Sequence, residues 1–542
     1  MNGAFRQSMT WLHTWTGLVF CWILYFMFVT GTLGYVDAEI DRWMQPEQVA
    51  PQQATPAEAI TVAARYLERE APGADRWFIT PPGGRDAPHL RVFWQLPTPE
   101  NAETPPDPES LRGQALLDLN TGEPLPEVRE TGGGQVLYRM HYLLHYLDRD
   151  IAYRFIGVVT MLMFVGLITG IVVHKKIFKE FFTFRAGKGQ RSWLDMHNLL
   201  SVTSLPFQLM ITYSGLIFMV TVWMPGIALG TFGFDAQRTQ KVLSEAVGEV
   251  PLERAHETAP LVELAPLVAD AEARWDGASV TRLEVKLPGD ANAEVSVSRS
   301  EGIARIGGGG FIYSGTTGEY ERASPEVPNA PIAIAATLIG LHEGLFAGPV
   351  LRWLYLFSGL IGTAMVATGA VYWTAKRRRN DGRPQSRGYR FVDALNVGTI
   401  MGLPVAVAAY FWANRLLPTG MEHRADWEVH TMFLVWGLCL VHPVIRSTKR
   451  AWIEQAWFAA VAFALIPVLN ALTTQVHLGY SLRVGDWVLA SFDLVALATG
   501  VAFAAAALIM SRRAVGMATA QAVRLDDEPQ SPLASDPQAA TA

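Results

Sequence analysis

The chain has 542 residues, of which half are hydrophobic and only 17% are charged, with 17 Trp and 26 Phe. Disordered chains combine low hydrophobicity with high net charge, so this composition excludes disorder for all but the ends. The two cysteines, Cys21 and Cys439, lie in apolar runs, which excludes a disulfide scaffold. A net charge of −6 argues against a nucleic-acid partner, which needs basic residues clustered on a folded face. The basic residues instead flank apolar runs, and this indicates a membrane protein.

Eight apolar runs reach the length of about 20 residues that a membrane-spanning helix needs. The first, Ser8–Val36, contains no Asp, Glu, Lys or Arg. A cleaved signal peptide is the alternative there, but the run is too long and no small-x-small cleavage site follows it. The other seven are Ile151–Val173, Leu199–Leu229, Leu354–Ala375, Val392–Trp412, Val429–Ile445, Trp452–Leu472 and Trp487–Met510. The apolar segment Pro331–Leu345 contains His342 and Glu343, so we predict a re-entrant or interfacial lead-in to the fourth span. The predicted fold class is a mainly α, polytopic membrane protein.

The basic residues give the orientation of these spans. They cluster in three loops and after the last span, at Lys175–Arg191, Lys376–Arg390, Arg446–Arg450 and Arg512–Arg513. With the spans as given, all four clusters fall on one side of the membrane, together with Arg6. The positive-inside rule places that side in the cytoplasm. We therefore predict a multi-pass protein of the bacterial inner membrane with both termini cytoplasmic.

Two long polar segments, residues 37–150 and 230–345, fall on the opposite side and predict two small extracytoplasmic α+β domains. They look like repeats of one unit: a helix-like stretch, then strands, then a Thr-Gly-Glu turn. The first has these at Pro56–Glu70, Leu90–Gln95, Ala115–Leu119 and Asn120–Glu123. The second has them at Leu261–Trp275, Val280–Leu287, Glu294–Ser298, Gly310–Tyr313 and Thr316–Glu319.

The rest of the chain divides around these two domains. We assign residues 1–36 to the first span, 151–229 to the second and third, 346–380 to the fourth, and 391–513 to a C-terminal extension of four membrane helices. Residues 514–542 are rich in Ala, Pro, Asp and Ser, and we predict a disordered tail.

Six histidines at the ends of spans are the candidate functional residues, because ionisable residues at membrane depth are costly. His13, His174 and His197 share the cytoplasmic side, and His141, His145 and His342 share the outer side. Neutral imidazole is a good axial ligand for haem iron, and facing helices of a bundle commonly hold a cofactor. For a single histidine the simpler interpretation is an amphipathic side chain at headgroup level. Six histidines sorted three and three by leaflet favour haem.

A zinc or copper ion is the competing interpretation for His141 and His145, which lie one turn apart if that segment is helical. Against it, the pair has no adjacent Asp or Glu, and no cysteine is near. His430 and His442 share the sixth span about 18 Å apart, too far to bind the same iron.

Four short motifs occur in an order that resembles the PepSY-associated transmembrane family, bacterial iron-regulated membrane proteins that include ferric-siderophore reductases. They are Leu12-His13-Thr14-Trp15-Thr16-Gly17, the His145 segment, Asp195-Met196-His197 and Leu341-His342-Glu343-Gly344. The resemblance covers about residues 1–380, with the two extracytoplasmic domains as PepSY-like units. It implies a protein with two b-type haems, the inner held by His13 and His197 and the outer by His145 and His342. His174 and His141 remain further candidate ligands.

The leading functional hypothesis is an electron carrier that reduces an extracytoplasmic ferric siderophore or other ferric chelate. The sequence has no G-x-G-x-x-G motif between a strand and a helix, so we expect the electrons to come from a cytoplasmic reductase or membrane quinol. A siderophore or iron permease is one alternative, although the spans lack charged residues that would line a path, apart from Asp493, and show no inverted repeat. A non-catalytic module whose PepSY-like domains bind a periplasmic partner is the other.

Overall fold

The computed structural model describes residues 3–83, 85, 87–98, 110–174, 183–219, 252–299, 309–324, 330–378 and 384–526. Parts of the predicted basic clusters (175–182 and 379–383), the end of the predicted third span (220–229) and the end of the predicted tail (527–542) lie outside these residues. The chain divides into two compact units, Met1–Lys376 and Arg377–Ala542.

The first unit contains nine α-helices in the described residues. They are α1 (Gly3–Leu33), α2 (Asp37–Met44), α3 (Pro56–Glu70), α4 (Gly133–Leu143), α5 (Arg149–Val173), α6 (Gln190–Phe218), α7 (Leu264–Arg274), α8 (Ala330–Glu343) and α9 (Pro349–Arg377). A single 3-10 turn, Gly34–Val36, joins α1 to α2.

The described part of the second unit has seven further helices. They are α10 (Arg387–Ile400), α11 (Gly402–Leu416), α12 (Arg424–Ile445), α13 (Thr448–Ala464), α14 (Ile466–Thr473), α15 (Leu478–Val484) and α16 (Trp487–Asp526). Met401 separates α10 from α11, and Leu465 separates α13 from α14.

Among the described residues, eight helices are long and apolar enough to cross a membrane, which confirms the predicted fold class. They are Gly3–Met44, Arg149–Val173, Gln190–Phe218, Pro349–Arg377, Arg387–Leu416, Arg424–Ile445, Thr448–Thr473 and Trp487–Val515. The third helix begins at Gln190, nine residues before the predicted start at Leu199. Its first turns are polar, and Asp195 in these turns pairs with Arg185. The prediction of a disordered tail from residue 514 is wrong up to Asp526, since α16 runs on through an Ala-rich stretch of high helix propensity.

The two predicted α+β segments share one seven-stranded antiparallel sheet. Its strands are β1 (Arg76–Thr80), β2 (Leu90–Gln95), β3 (Arg112–Leu117), β4 (Arg282–Lys286), β5 (Glu294–Ser298), β6 (Gly310–Ser314) and β7 (Tyr320–Ser324), in the order β3-β2-β1-β4-β5-β6-β7. The β1 strand, which the sequence did not predict, pairs with β4 and joins the two halves. Either half alone would expose a strand edge there, and the pairing removes both edges. We call this layer, with α3 and α7, the sheet domain.

The same turn closes both halves of the sheet domain. Gly122 and Gly318 have φ of +72° and +74°, and each donates a backbone hydrogen bond four residues back, of 2.8 and 3.0 Å. Only glycine adopts this left-handed conformation without steric cost. The shared geometry supports the internal repeat that the sequence suggests.

One face of the sheet carries the core of the sheet domain. Helices α3 and α7 pack on it through fully buried residues such as Leu67 and Val268, which meet Ile79 and Leu283 of the central strands. Apolar residues alternate along the strands because successive side chains point to opposite faces. The opposite face carries charged and polar side chains around Phe78 and Phe93.

A cluster of ion pairs connects the sheet domain to the membrane helices. Arg85, in the β1–β2 connection, binds Asp37 and Glu39 of α2 at 2.8 Å each. Glu39 also pairs with Arg352 near the start of α9, at 3.2 Å. All four side chains are mostly shielded from solvent, so the pairing is stronger than that of an exposed ion pair.

Helix α4 packs closely against α2. The Asp41 carboxylate accepts the backbone N–H of Gly134 at 2.7 Å and so caps the first turn of α4. A Cβ on Gly134 would lie 2.4 Å from the backbone oxygen of Asp37, so only glycine fits there. This contact fixes the helix that carries His141.

Candidate functional site

The first candidate site lies between α1 and α6, where His13 faces His197. Their ring centroids are 6.4 Å apart and the rings are tilted by 56°. His174 follows the last residue of α5, where its backbone N–H bonds the carbonyl of Gly170 at 3.0 Å. Of the three histidines predicted for the cytoplasmic side, the structure pairs the two that the family resemblance assigns to one haem.

The second candidate site lies between α4 and α8, where His141 faces His342. Their ring centroids are also 6.4 Å apart, and the rings are nearly parallel at 21°. Burial lowers the pKa of His141 to about 4, so its imidazole is neutral at neutral pH.

The resemblance pairs His342 with His145, whereas the structure places the ring of His141 next to that of His342. Helix α4 ends at Leu143, and Leu144 has φ of +51°, so the chain turns away before His145. The His145 ring packs against Tyr146, with centroids 4.8 Å apart. For the same reason His141 and His145 do not share a helical face, which removes the geometry assumed for a zinc or copper site. The described residues contain no group of three or more His, Cys, Asp or Glu placed to hold a metal ion.

All four paired histidines have their Nδ1 atom in a hydrogen bond. The partners are Gly166 O for His13 (2.9 Å), Met365 O for His197 (2.9 Å), Ser214 Oγ for His342 (2.8 Å), and Tyr138 O for His141. A backbone carbonyl can only accept, so three of the rings carry their proton on Nδ1 and expose the Nε2 lone pair. Such bonds are typical of metal-binding histidines because they fix the tautomer and the ring orientation.

A glycine on another helix accommodates each of the four rings. A Cβ would lie 3.2 Å from His13 at Gly170, 3.1 Å from His197 at Gly369, 3.4 Å from His141 at Gly31, and 3.2 Å from His342 at Gly215. The four glycines therefore leave space for the imidazole rings of the neighbouring helices.

The separation within each pair fits two axial ligands of one iron. Two imidazoles bound on opposite sides of a metal at about 2.0 Å, with each centroid about 1.1 Å beyond Nε2, have centroids about 6.2 Å apart. Both pairs show 6.4 Å. The residues present therefore fit two bis-histidine haems.

The two pairs lie near opposite ends of the membrane helices. His197 is on α6, and Ser214, which bonds His342, follows it by 17 residues on the same helix. That distance is about 25 Å at 1.5 Å per residue. That distance is close to the thickness of a hydrocarbon core, which is about 30 Å.

The sequence profile of the PepSY-associated TM region matches residues 10–376. The chain belongs to the PepSY-associated TM family. This confirms the resemblance drawn from the sequence, and the match contains both histidine pairs and the sheet domain. It ends where the first compact unit ends, at residue 376. Among curated proteins, none matches the chain.

A buried polar network in the second unit was missed from the sequence. Arg424 and Glu428 on α12 are fully buried and pair at 2.5 Å, and Arg424 also donates to the backbone oxygen of Asn414. Further bonds run from Asn414 Nδ2 to Glu428 Oε1 (2.7 Å), from Arg415 Nε to Asn470 Oδ1 (3.1 Å) and from Asn470 Nδ2 to Asp493 Oδ2 (3.0 Å). Arg415, Arg424 and Glu428 lie between the predicted spans Val392–Trp412 and Val429–Ile445, and the hydropathy pattern assigns them no role. The i, i+4 spacing of Arg424 and Glu428 was the available signal.

Proposed function

We propose that the chain holds two b-type haems, one on the His13–His197 pair and one on the His141–His342 pair. We further propose that it carries electrons across the bacterial inner membrane to an extracytoplasmic ferric complex, with both termini in the cytoplasm. The observation that carries the proposal is the repeat of one arrangement: two histidine pairs, each with ring centroids 6.4 Å apart. One pair includes His197 of α6, and the other is bonded to Ser214, 17 residues later on α6. Haem supplies reversible one-electron chemistry at each position.

In this proposal the residues of the chain hold the four imidazoles and orient them toward the haem iron. In each histidine a hydrogen bond at Nδ1 fixes the ring and leaves the Nε2 lone pair available. Each histidine pair therefore presents two preoriented nitrogen donors. The Nδ1 hydrogen bonds raise the electron density of the imidazoles. His342 bonds the Ser214 hydroxyl, which itself donates to the carbonyl of Met210 at 2.7 Å and so accepts from the ring.

The direction of transfer follows from the charges and from the sheet domain. The basic loops support a cytoplasmic location for the end of the membrane helices that holds His13 and His197. The sheet domain is tied by Arg85 to Asp37 and Glu39 of α2, next to the α4 helix that carries His141. A cytoplasmic reductase or membrane quinol would then reduce the protein from one side, and a ferric siderophore or other ferric chelate would accept the electron at the other.

Spectroscopy and stopped-flow kinetics on the purified full-length protein test this function. We expect an absorption spectrum of bis-histidine haem, two haems per chain, and rapid reoxidation of the dithionite-reduced protein by ferric siderophores. A folded protein without haem at any stoichiometry would end the proposal. Reoxidation by oxygen or quinone, with no response to any ferric chelate, would leave an electron carrier with another acceptor.

A further inference from the structure

The face of the sheet that α3 and α7 do not cover is strongly basic. The strand register places on it six cationic side chains, Arg76, Arg91, Arg112, Arg282, Lys286 and Arg322, and two carboxylates, Glu284 and Glu294. We call this set, with Phe78 and Phe93, the basic face. The whole chain has a net charge of −6, so the excess of cations here is local and does not reflect a basic protein.

Two aromatic rings lie at the centre of the basic face. Phe78 and Phe93 are directly opposite each other on β1 and β2, with centroids 5.6 Å apart, and both are half-buried. The guanidinium of Arg282 lies 4.6 Å from the Phe78 centroid. Arg91 and Arg282 are both exposed and flank the rings on either side. The surface therefore combines a flat apolar centre with cations around it.

The two carboxylates are already bound to neighbouring cations. Glu284 pairs with Arg76 at 3.3 Å. Glu294 binds Lys286 at 3.0 Å and also contacts Arg322. The exposed cations of the face are Arg91, Arg112 and Arg282, which lie on β2, β3 and β4.

We infer that the basic face is a docking site for an anionic chelate that carries aromatic rings, which is the chemistry of a ferric tris-catecholate. Guanidinium groups bind oxyanions and also stack on aromatic planes, and Phe78 and Phe93 offer edges and faces to further rings. A patch of one charge raises the local concentration of an oppositely charged ligand and its association rate. The inference rests on the proposed function and narrows the class of its substrate.

Binding to redox-inert gallium(III) complexes tests the site without electron transfer. The probes are Ga(III) tris-catecholate, which is anionic, and a neutral Ga(III) trihydroxamate, titrated into the full-length oxidised protein in detergent. We expect the anionic complex to bind more tightly, and its affinity to fall as salt rises. The double substitution Arg91→Glu/Arg282→Glu should weaken it by roughly tenfold or more, because two charge-assisted contacts are reversed.

Matched variants distinguish binding at the basic face from a general effect of changing surface charge. Arg65→Glu changes an exposed arginine on α3, at the opposite side of the sheet, and should leave binding unchanged. Arg91→Gln/Arg282→Gln removes the charges without reversing them and should weaken binding less than the Glu pair. Equal affinity of wild type and both Arg91/Arg282 variants would overturn the inference, as would no binding by the wild type. Binding of anionic lipid vesicles in place of the chelate, lost in the same variants, would also overturn it.

Failure of the docking site and failure of the proposed function give different results. If the reduced protein reacts with ferric chelates at the same rate in wild type and variants, the function stands and the docking site is wrong. If no ferric chelate oxidises the protein but gallium tris-catecholate binds the basic face, the docking site stands and the function is wrong.

Discussion

An imidazole serves as a metal ligand only if one ring nitrogen is available and the ring is held in place. In this chain both conditions are met by atoms outside the histidines: a carbonyl or hydroxyl at Nδ1 and a glycine under the ring. His145 shows the contrast, since it follows the break at Leu144 and packs on its neighbour Tyr146. The identity of a ligand therefore depends on backbone geometry within a few residues.

The assignment of the second pair is tested by His141→Ala against His145→Ala. We expect His141→Ala to lose one of two haems, the one also lost in His342→Ala, because the iron would lose an axial ligand. His145→Ala should keep both haems. Haem stoichiometry and the low-temperature absorption spectrum measure this. Loss of haem in His145→Ala with retention in His141→Ala would restore the pairing expected from the sequence.

The sequence could predict the six candidate histidines and which end of a span each lies at, because apolar runs and basic loops are properties of composition. It could not choose between His141 and His145. That choice depends on where α4 stops, and α4 is fixed by a tertiary contact, the close approach of Gly134 to α2. The hydrogen-bond partners of Nδ1 could not be predicted for the same reason, since Met365 is 168 residues from His197 in the sequence.

At the scale of elements, buried hydrogen bonds and an ion pair join α11, α12, α14 and α16. Arg424 caps a carbonyl near the C-terminal end of α11, where backbone acceptors lack helical partners, and it neutralises Glu428. A buried charge without its partner is costly, whereas a matched apolar pair is often tolerated. The network therefore holds four helices in one arrangement.

Removing one partner of this network should destabilise the protein more than removing both. We expect Arg424→Met to cost about 3–5 kcal/mol, because Glu428 stays buried without its arginine, and Arg424→Met/Glu428→Leu to recover much of that loss. Urea or thermal unfolding of the full-length protein in detergent measures this. The control is Arg446→Met, which breaks a more exposed pair with Glu454 and should cost about 0–1 kcal/mol. A double variant less stable than Arg424→Met would contradict the account.

Helices were easier to predict than the sheet. The spans follow from hydropathy alone, which is why eight were found with ends within a few residues in most cases. Strand β1 (Arg76–Thr80), which joins the two halves of the sheet, was not predicted. It is a short run that pairs with β4, more than 200 residues later in the chain. Pairing over such a distance leaves no local pattern in the sequence.

At the scale of the whole molecule, the shared sheet constrains the topology of the membrane helices. Segments before the second span and after the third contribute neighbouring strands to one sheet, so both must lie on the same side of the membrane. Two spans, α5 and α6, connect them, and an even number of crossings returns the chain to the side it left. The basic loops independently favour the same arrangement.

Reporter fusions test this topology directly. A periplasmic reporter such as alkaline phosphatase should be active when fused after Gly122 and after Gly318, because both turns belong to the sheet domain, and inactive after Arg378, beyond the end of α9. A cytoplasmic reporter such as green fluorescent protein at the same three positions is the control and should give the reverse pattern. Opposite sides for Gly122 and Gly318 would contradict the shared sheet. The same side for all three positions would instead remove α9 as a span and, with it, the orientation from which the direction of electron flow is argued.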